Sequence, residues 1–342
     1  MRKKPNPHST KQSNMPPNRD MASAPANKIS IIIPSAPERS FNEIVENLRR
    51  IRPANLTLQI ILVKGTFPPL QRNLAIEKAK GEYIFLFDDD IIVPGGAIEK
   101  VIREFRENPG ADIIGGPNLT PVKDGFMAHC FGLAHASYFA GASTAARYFP
   151  ARRLKKATES HLISCNLAFR AEVLKQNRFD PHIFPNEENE LLGRLQRKGY
   201  KLRYDPDFFV YHHRRKNLQG YIKQIFNWGA GRTLHMSGRP AHFNPVFLVP
   251  LAFLAYLLTL AFFSPLWYLA PLGLYILLDF AFSVSASIKE GCICTFFMML
   301  WLFPLTHIVY ALGLIWGLVR HFRRPPPLPD PKDFQTIEIE IT

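Results

Sequence analysis

The feature that most constrains this chain is the absence of charge from two long stretches. Phe243 to Leu278 and Gly291 to Val319 contain no Lys, Arg, Asp or Glu. Each is longer than the ~20 apolar residues that cross a bilayer, and charge-free runs of this length are rare in soluble cores. Three membrane segments are therefore expected, at about 245 to 263, 266 to 288 and 293 to 319, the first two joined by a tight turn at Ser264 and Pro265. Phe126 to Tyr148 is also poor in charge, but Ala, Gly, Ser and two histidines dilute it. A crossing there would put Asp88 and Glu188 on opposite sides of the membrane, so it is read as a buried or membrane-facing helix of the preceding domain.

The rest of the 342 residues balance 42 basic against 28 acidic side chains, a net charge of +14. That excess suits anionic partners such as nucleic acid, nucleotide phosphates or an acidic membrane surface, and charge alone does not choose among them. Residues 1 to 27 lack apolar periodicity and read as a disordered basic tail without the apolar core of a signal peptide. Cys130, Cys165, Cys292 and Cys294 are too scattered for a disulfide framework and read as reduced and structural.

From Lys28 onward, short β-rich runs alternate with helical ones. Strands are expected at Ile29 to Ile33, Leu58 to Val63, Tyr83 to Phe87, Asp112 to Gly115 and Gly199 to Asp205. Helices are expected at Phe41 to Ile51, Leu70 to Lys80, Gly96 to Glu107 and Glu188 to Arg197. The alternation describes βαβ units on a mainly parallel sheet, an α/β domain over residues 28 to 240. Membrane-associated helices to about residue 320 and a Pro-rich tail over 321 to 342 follow it.

Three constellations carry chemistry. Asp88, Asp89 and Asp90 follow the apolar strand Tyr83 to Phe87. An acidic triplet is ordinarily a solvated turn, but at the carboxyl end of a buried strand, where open α/β sheets bind ligands, three carboxylates call for a hard cation such as Mg²⁺ or Mn²⁺. Glu187 and Glu188 open a helix, where the helix dipole alone would favour them, or where one of them serves as a general base. Val210 to Arg215, with Gln224, Trp228 and Arg232, puts basic and aromatic residues just before the apolar segments. They suit lipid headgroups or a diphosphate equally.

In this order, with Gly81, Glu82 and Tyr83 leading into the triplet, the chain resembles the family 2 glycosyltransferases of the GT-A fold over roughly residues 28 to 240. Pro34 and Ser35 match the nucleotide-binding end of the first strand, and Gln71, Arg72 and Asn73 resemble the ARN segment. Asp88 and Asp90 match the outer positions of the DxD motif. Glu187 and Glu188 fall on the ED pair, and Asn166 with Arg170 resembles the segment before it. Gln224 and Trp228 resemble the ends of QxxRW, but Asn227 stands where Arg belongs, and Lys64 and Gly65 stand where many relatives carry a base-reading Asp.

The resemblance implies a membrane-anchored, inverting glycosyltransferase with no nucleic-acid partner. Pro34, Ser35, Arg72, Asp88 and Asp89 would line the site of a nucleoside-diphosphate sugar, and Asp88 and Asp90 would hold Mg²⁺ or Mn²⁺. Glu188 would deprotonate the acceptor, a lipid-linked saccharide or a surface polysaccharide. Asn166, Glu187, His212, Gln224, Trp228 and Arg232 would lie around the acceptor or diphosphate, with His212 a further contact to phosphate or metal. The alternatives are a polyprenyl-phosphate glycosyltransferase and a non-catalytic membrane-bound binder of sugar nucleotides or polyanions.

A cytoplasmic catalytic domain on the inner membrane puts the uncharged turn at Ser264 outside and Lys289 inside. A third full crossing would then place Arg320, Arg323 and Arg324 outside, so either the third segment spans against that rule or, the reading favoured here, it bends at Pro304 and returns as a re-entrant or interfacial element. Asp279 is expected to face the other segments, with His307 as a partner.

Overall fold

The computed structural model describes residues 28–236, 244–263, 265–321 and 327–342. The expected disordered tail, 1–27, and Arg323 and Arg324 lie outside the described residues.

The strands are β1 (Lys28–Ser35), β2 (Thr57–Lys64), β3 (Tyr83–Phe87), β4 (Ile91–Ile92), β5 (Ile113–Gly115), β6 (Asn118–Leu119), β7 (Asn166–Arg170), β8 (Leu202–Tyr204), β9 (Val210–His212) and β10 (Gln335–Ile341). The helices are α1 (Asn42–Ile51), α2 (Pro68–Lys78), α3 (Ala97–Glu107), α4 (Phe126–His135), α5 (Tyr138–Gly141), α6 (Ala171–Gln176), α7 (Glu187–Arg197), α8 (Leu218–Met236), α9 (Val249–Thr259), α10 (Ala270–Glu290) and α11 (Ile293–His321).

The main sheet has the order β10-β2-β1-β3-β7-β5-β8. β1, β2, β3, β5 and β8 point one way, while β7 and β10 run against them. Its centre is apolar on both faces, as parallel strands covered by helices must be. On one side, α1 buries Ile44, Val45 and Leu48, and α3 buries Ile98, Val101, Ile102 and Phe105. These meet Ile31, Leu58, Ile60 and Phe85 in one core, and a second core over Ile32, Ile61, Ile84 and Leu86 takes Ala75 of α2 and Leu191, Leu192 and Leu195 of α7. The result is a three-layer α/β/α domain.

Strand register places the polar residues that matter. β1 and β2 pair from Lys28↔Thr57 to Ser35↔Lys64, so both end at one edge. β3 ends there too, and its antiparallel pairing Phe87↔Asn166 sets Cys165 and Asn166 beside the acidic triplet. A small second sheet, β4-β9-β6, pairs Ile91 with His212 and so brings His212 next to Asp90. β10 pairs antiparallel with β2, Gln335↔Lys64 to Ile341↔Leu58, so the end of the Pro-rich tail forms the sheet's edge strand.

Four features differ from the sequence reading. Phe126 to Tyr148 is not one helix: α4 ends at His135, and α5 and a 3-10 turn, Ala142–Arg147, follow, with Ala142 at φ 45°. The first apolar segment is helical only over Pro245–Thr259, shorter than a crossing needs, whereas Leu266–Glu290 and Ile293–Arg320 are long and apolar enough to cross a membrane. The expected return of the chain at Pro304 is absent. α11 runs unbroken through it, and the Thr306 hydroxyl donates to Leu302 O at 2.6 Å within the turn that proline disturbs. His307 is not the partner of Asp279: it bonds Tyr275 Oη at 2.8 Å and Phe139 O at 3.0 Å, and buried Asp279 has Ser283 Oγ at 3.5 Å.

α9 and α10 form an antiparallel hairpin, with Phe253 stacked on Tyr275 at 4.1 Å between ring centres and Tyr256 Oη donating to Tyr268 O. Its open end meets the α/β domain at both legs, through Phe247 under Arg232 and Glu290 beside His129. Phe262, Leu266 and Trp267 are exposed at the tip. α11 lies along α8. The two backbones approach closely because Gly313 faces Phe226 O, Gly317 faces Ala230 O and Gly229 faces Tyr310 O, where any Cβ would collide with the neighbouring backbone. Gly313 and Gly317 are a small-xxx-small pair, the spacing used for tight helix contact in membranes.

Candidate functional site

The acidic triplet is ringed by cations. Asp89, buried, accepts from Ser35 Oγ and from Arg39 Nη1, both at 2.7 Å. Asp90 accepts from Arg39 Nη1 at 2.9 Å and sits 2.9 Å from His212 Nε2. Burial works against its charge, but His212 and Arg39 outweigh burial and hold Asp90 well below the usual carboxylate range. Burial likewise works against a proton on His212, but Asp90, with a smaller contribution from Cys165, lifts it to about 10. Asp88 is the least compensated of the three: burial raises it, and its cation is Arg72, at 3.5 Å.

A carboxylate oxygen of Asp88, Cys165 Sγ and a ring nitrogen of His212 lie within 4.8 Å of one another. With Asp90 against the same imidazole, the oxygen and nitrogen donors fit a hard or borderline divalent ion such as Mg²⁺ or Mn²⁺, and the sulfur is a softer neighbour.

Arg72 joins this cluster to the acid pair. Its guanidinium donates to Glu187 Oε1 at 2.5 Å, reaches Asp88 at 3.5 Å, contacts Ser164 Oγ at 3.3 Å, and is almost fully buried. Burial, and then the neighbouring Glu188 carboxylate, push Glu187 up to about 7, against the pull of Arg72. The turn before the pair is shaped by a cis Phe184–Pro185 bond and Asn186 at φ 77°, and Asn186 Nδ2 donates to Trp228 O at 3.2 Å. α8 comes this close because Gly231 faces Pro185 and Asn186, where a Cβ would stand 2.7 Å from Pro185 O.

Glu188 points the other way. Arg147 Nη1 lies 3.9 Å from its Oε1, and the rest of the Arg147 guanidinium is fixed by Ser160 O, Glu159 O and Asn189 Oδ1. Glu188 lines a cavity of about 500 Å³, whose floor includes Arg147, Tyr148, Trp228 and Arg232. Arg232 is buried, packed on Phe247 at 3.9 Å, with Glu159 3.6 Å from a Nη1 that makes no hydrogen bond.

The remaining sequence candidates fall into two groups. Pro34, next to last in β1, pairs with Val63 beside Ser35, and His212 and Glu187 join the cluster. Asn166 is wholly buried, its amide donating to Pro117 O and Phe208 O, which ties β7 to the neighbouring loops. Trp228 packs its ring on His135 and Tyr148, and Gln224 bonds the buried His135. Arg214 is spent on Asn118 and Thr120. Arg39, Arg147 and Cys165 escaped the sequence reading. Arg39 sits in the loop after β1 and Arg147 ends the 3-10 turn, neither with a local pattern, and Cys165 carried one clue, its place beside Asn166.

A mixed α/β/α domain with acids at the carboxyl edge of its central strand, facing a second acid pair at a helix start, defines the architecture of a GT-A glycosyltransferase. The match to "Glycosyl transferase family group 2" runs over residues 83–319, more than half of the chain, and the protein belongs to that family. Among solved structures it is similar to a mannosyltransferase of Pyrobaculum calidifontis, PcManGT, described in complex with GDP-Man and Mn²⁺. Identity is 14%, the TM-score is 0.54, and the match covers 86% of this chain and 88% of that one. It is similar also to residues 1–349 of S. aureus TarS in complex with UDP, at 11% identity and a TM-score of 0.41, covering 88% and 94%. No curated protein matches the sequence.

Proposed function

We propose that this glycosyltransferase moves a sugar, with inversion, from a nucleoside-diphosphate donor to an acceptor hydroxyl held at a membrane surface. The observation that carries the reading is the position of Arg72, which ties the acidic cluster at the end of β3 to the acid pair at the start of α7.

The donor would lie across the carboxyl edge of the sheet, at Pro34, Ser35 and the triplet, as ligands do in open α/β sheets. Asp88, Asp90 and His212 would hold Mg²⁺ or Mn²⁺, which supplies the positive charge that a departing diphosphate needs. His212 must lose its proton to serve there. Arg72 holds Glu187 and leaves Glu188 as the carboxylate facing the cavity. Glu188 takes the proton of the acceptor hydroxyl, the oxygen's electron pair forms the bond to the anomeric carbon, and the bond from that carbon to the β-phosphate oxygen breaks with its pair on the diphosphate. One base opposite the leaving group gives inversion by the displacement logic familiar from sugar hydrolysis. Proton transfer of this kind contributes ~10²- to 10⁴-fold.

The α9–α10 hairpin is assigned to the bilayer, its exposed tip of Phe262, Leu266 and Trp267 away from the catalytic domain. α11 lies along the base of that domain, and the pairing of β10 with β2 supports a tail on the catalytic, cytoplasmic side. Lys289 and Arg320 then fall inside, in agreement with the positive-inside rule.

The test is a panel of nucleotide sugars with the purified full chain and Mn²⁺, scored by nucleoside-diphosphate release. Turnover of one donor that is abolished by EDTA and by Asp88→Ala or Asp90→Ala is the expected result. Full turnover in EDTA overturns the metal assignment, and donor binding with no turnover under any condition overturns the enzymatic one.

A further inference from the structure

The cavity that Glu188 faces is built on three sides by the apolar helices. Phe139 of α5 and residues of the 3-10 turn line it, and Val249, Phe253, Leu274, Tyr275 and Leu278 of α9 and α10 continue the lining, Phe139 packing on Tyr275 with ring centres 5.3 Å apart. Polar groups are gathered at the catalytic end, where Glu188, Arg147 and Arg232 meet. At the other end Val246, Val249, Leu274 and Leu278 are exposed. Those exposed side chains belong to, or adjoin, the hairpin assigned to the bilayer, so the cavity opens sideways into the lipid rather than into water. A polymer acceptor needs a polar track through which sugar hydroxyls can stay hydrogen-bonded, because burying them unpaired is costly. This wall offers aliphatic and aromatic carbon instead.

We infer that the acceptor is a single-chain or polyisoprenoid amphiphile that enters from the bilayer, its hydrocarbon lying along Val249, Phe253, Leu274 and Leu278 of the α9–α10 hairpin and its hydroxylated head at Glu188. The inference rests on the transferase reading and narrows it to a lipid acceptor. A volume of about 500 Å³ is within the ~300 to 1,000 Å³ of ligand pockets. It accommodates a segment of chain, and the remainder stays in the membrane. Removal of the chain from water adds nothing, since it starts in lipid; the cavity's contribution is orientation, fixing one hydroxyl beside the base. The Nη1 of Arg232, buried without a hydrogen bond, and Arg147 next to Glu188 give that head group donors.

The experiment photolabels the purified full chain in detergent with a sixteen-carbon primary alcohol bearing a mid-chain diazirine, and maps the labelled peptides. Label is expected on peptides containing Phe139, Phe253 or Tyr275. It should fall at least fivefold in the double variant Ala140→Phe, Leu274→Trp, which fills the cavity, and should persist in Leu277→Trp, on the exposed face of α10 and outside the cavity lining. Thermal unfolding of both variants separates filling from misfolding. Label confined to outward residues such as Leu277 and Phe280, or undiminished in the filled variant with a native melting transition, overturns the proposal.

A parallel assay uses phosphatidylcholine vesicles carrying the unphotolysed alcohol or a polyprenol, with soluble oligosaccharides as the competing acceptor. Sugar appearing in the organic phase supports the proposal, and transfer only to the oligosaccharide refutes it while leaving the transferase reading intact. Cavity labelling with no nucleoside-diphosphate release from any donor refutes the transferase reading, and with it this role for the cavity.

Discussion

Arg72 donates to Glu187 at 2.5 Å across 115 residues of chain, and both side chains are almost completely buried. A buried charge whose partner is removed costs ~3 to 5 kcal/mol, far more than the net worth of the pair. Arg72→Met is therefore expected to destabilise the protein by roughly 3 kcal/mol, and adding Glu187→Gln to it should restore most of that loss. Thermal or denaturant unfolding of the two single variants and the double variant measures the coupling. Additive effects would mean that the two side chains act independently.

Glu188 and Glu187 are adjacent but differently placed, one facing the cavity and one held by Arg72. Glu188→Gln keeps shape but cannot accept a proton, so turnover should fall ~10²- to 10⁴-fold while donor binding persists. Glu187→Gln should be milder. The reverse order would move the base by one residue, and a mild Glu188→Gln phenotype would favour a lipid-phosphate acceptor, which needs no strong base.

Glu187 also gives stability a pH dependence. Its folded-state pKa is raised from 4.5 to about 7, so the folded protein holds the proton more tightly than the unfolded chain. The contribution is fully present below pH 4.5 and is lost as pH rises toward 7. The loss is on the order of 2 to 3 kcal/mol. The melting midpoint of Glu187→Gln should not show this decline between those two values. Parallel pH profiles for the variant and the parent would exclude the assignment.

Residues 335–341 pair with β2, which requires the tail and the catalytic domain to share one side of the membrane. A single cysteine at Gln335, an exposed position, with Cys292 and Cys294 replaced by Ser and the buried Cys130 and Cys165 retained, tests this. Membrane-impermeant maleimide should label it only after cells are permeabilised. Labelling in intact cells would separate β10 from the sheet.

Local pattern was enough for the βαβ core. Tyr83 to Phe87 reads as a strand because five consecutive apolar residues are buried on both faces, and that run ends where the acids begin. α1 and α3 are legible from their apolar stripes. The short strands were not: β4, β6 and β9 have two or three residues each, too few for any periodicity, and they exist because each lies against the next. β10, Gln335 to Ile341, alternates Glu with Ile, a pattern that becomes a strand only when the free edge of β2 accepts it.

The same division runs through the candidate site. Asp88, Asp90, Glu187 and Glu188 stood out in the sequence because acids next to apolar runs need a reason to be there. What sequence order does not contain is distance. The pairing of Phe87 with Asn166, of Ile91 with His212, and the reach of Arg72 to Glu187 are long-range contacts decided by strand register and helix packing. Two charge-free segments announced long apolar helices by composition alone. That one leg of the hairpin is short, that Pro304 leaves α11 unbroken, and that a cavity joins Glu188 to their apolar walls followed only from how those helices pack against the catalytic domain.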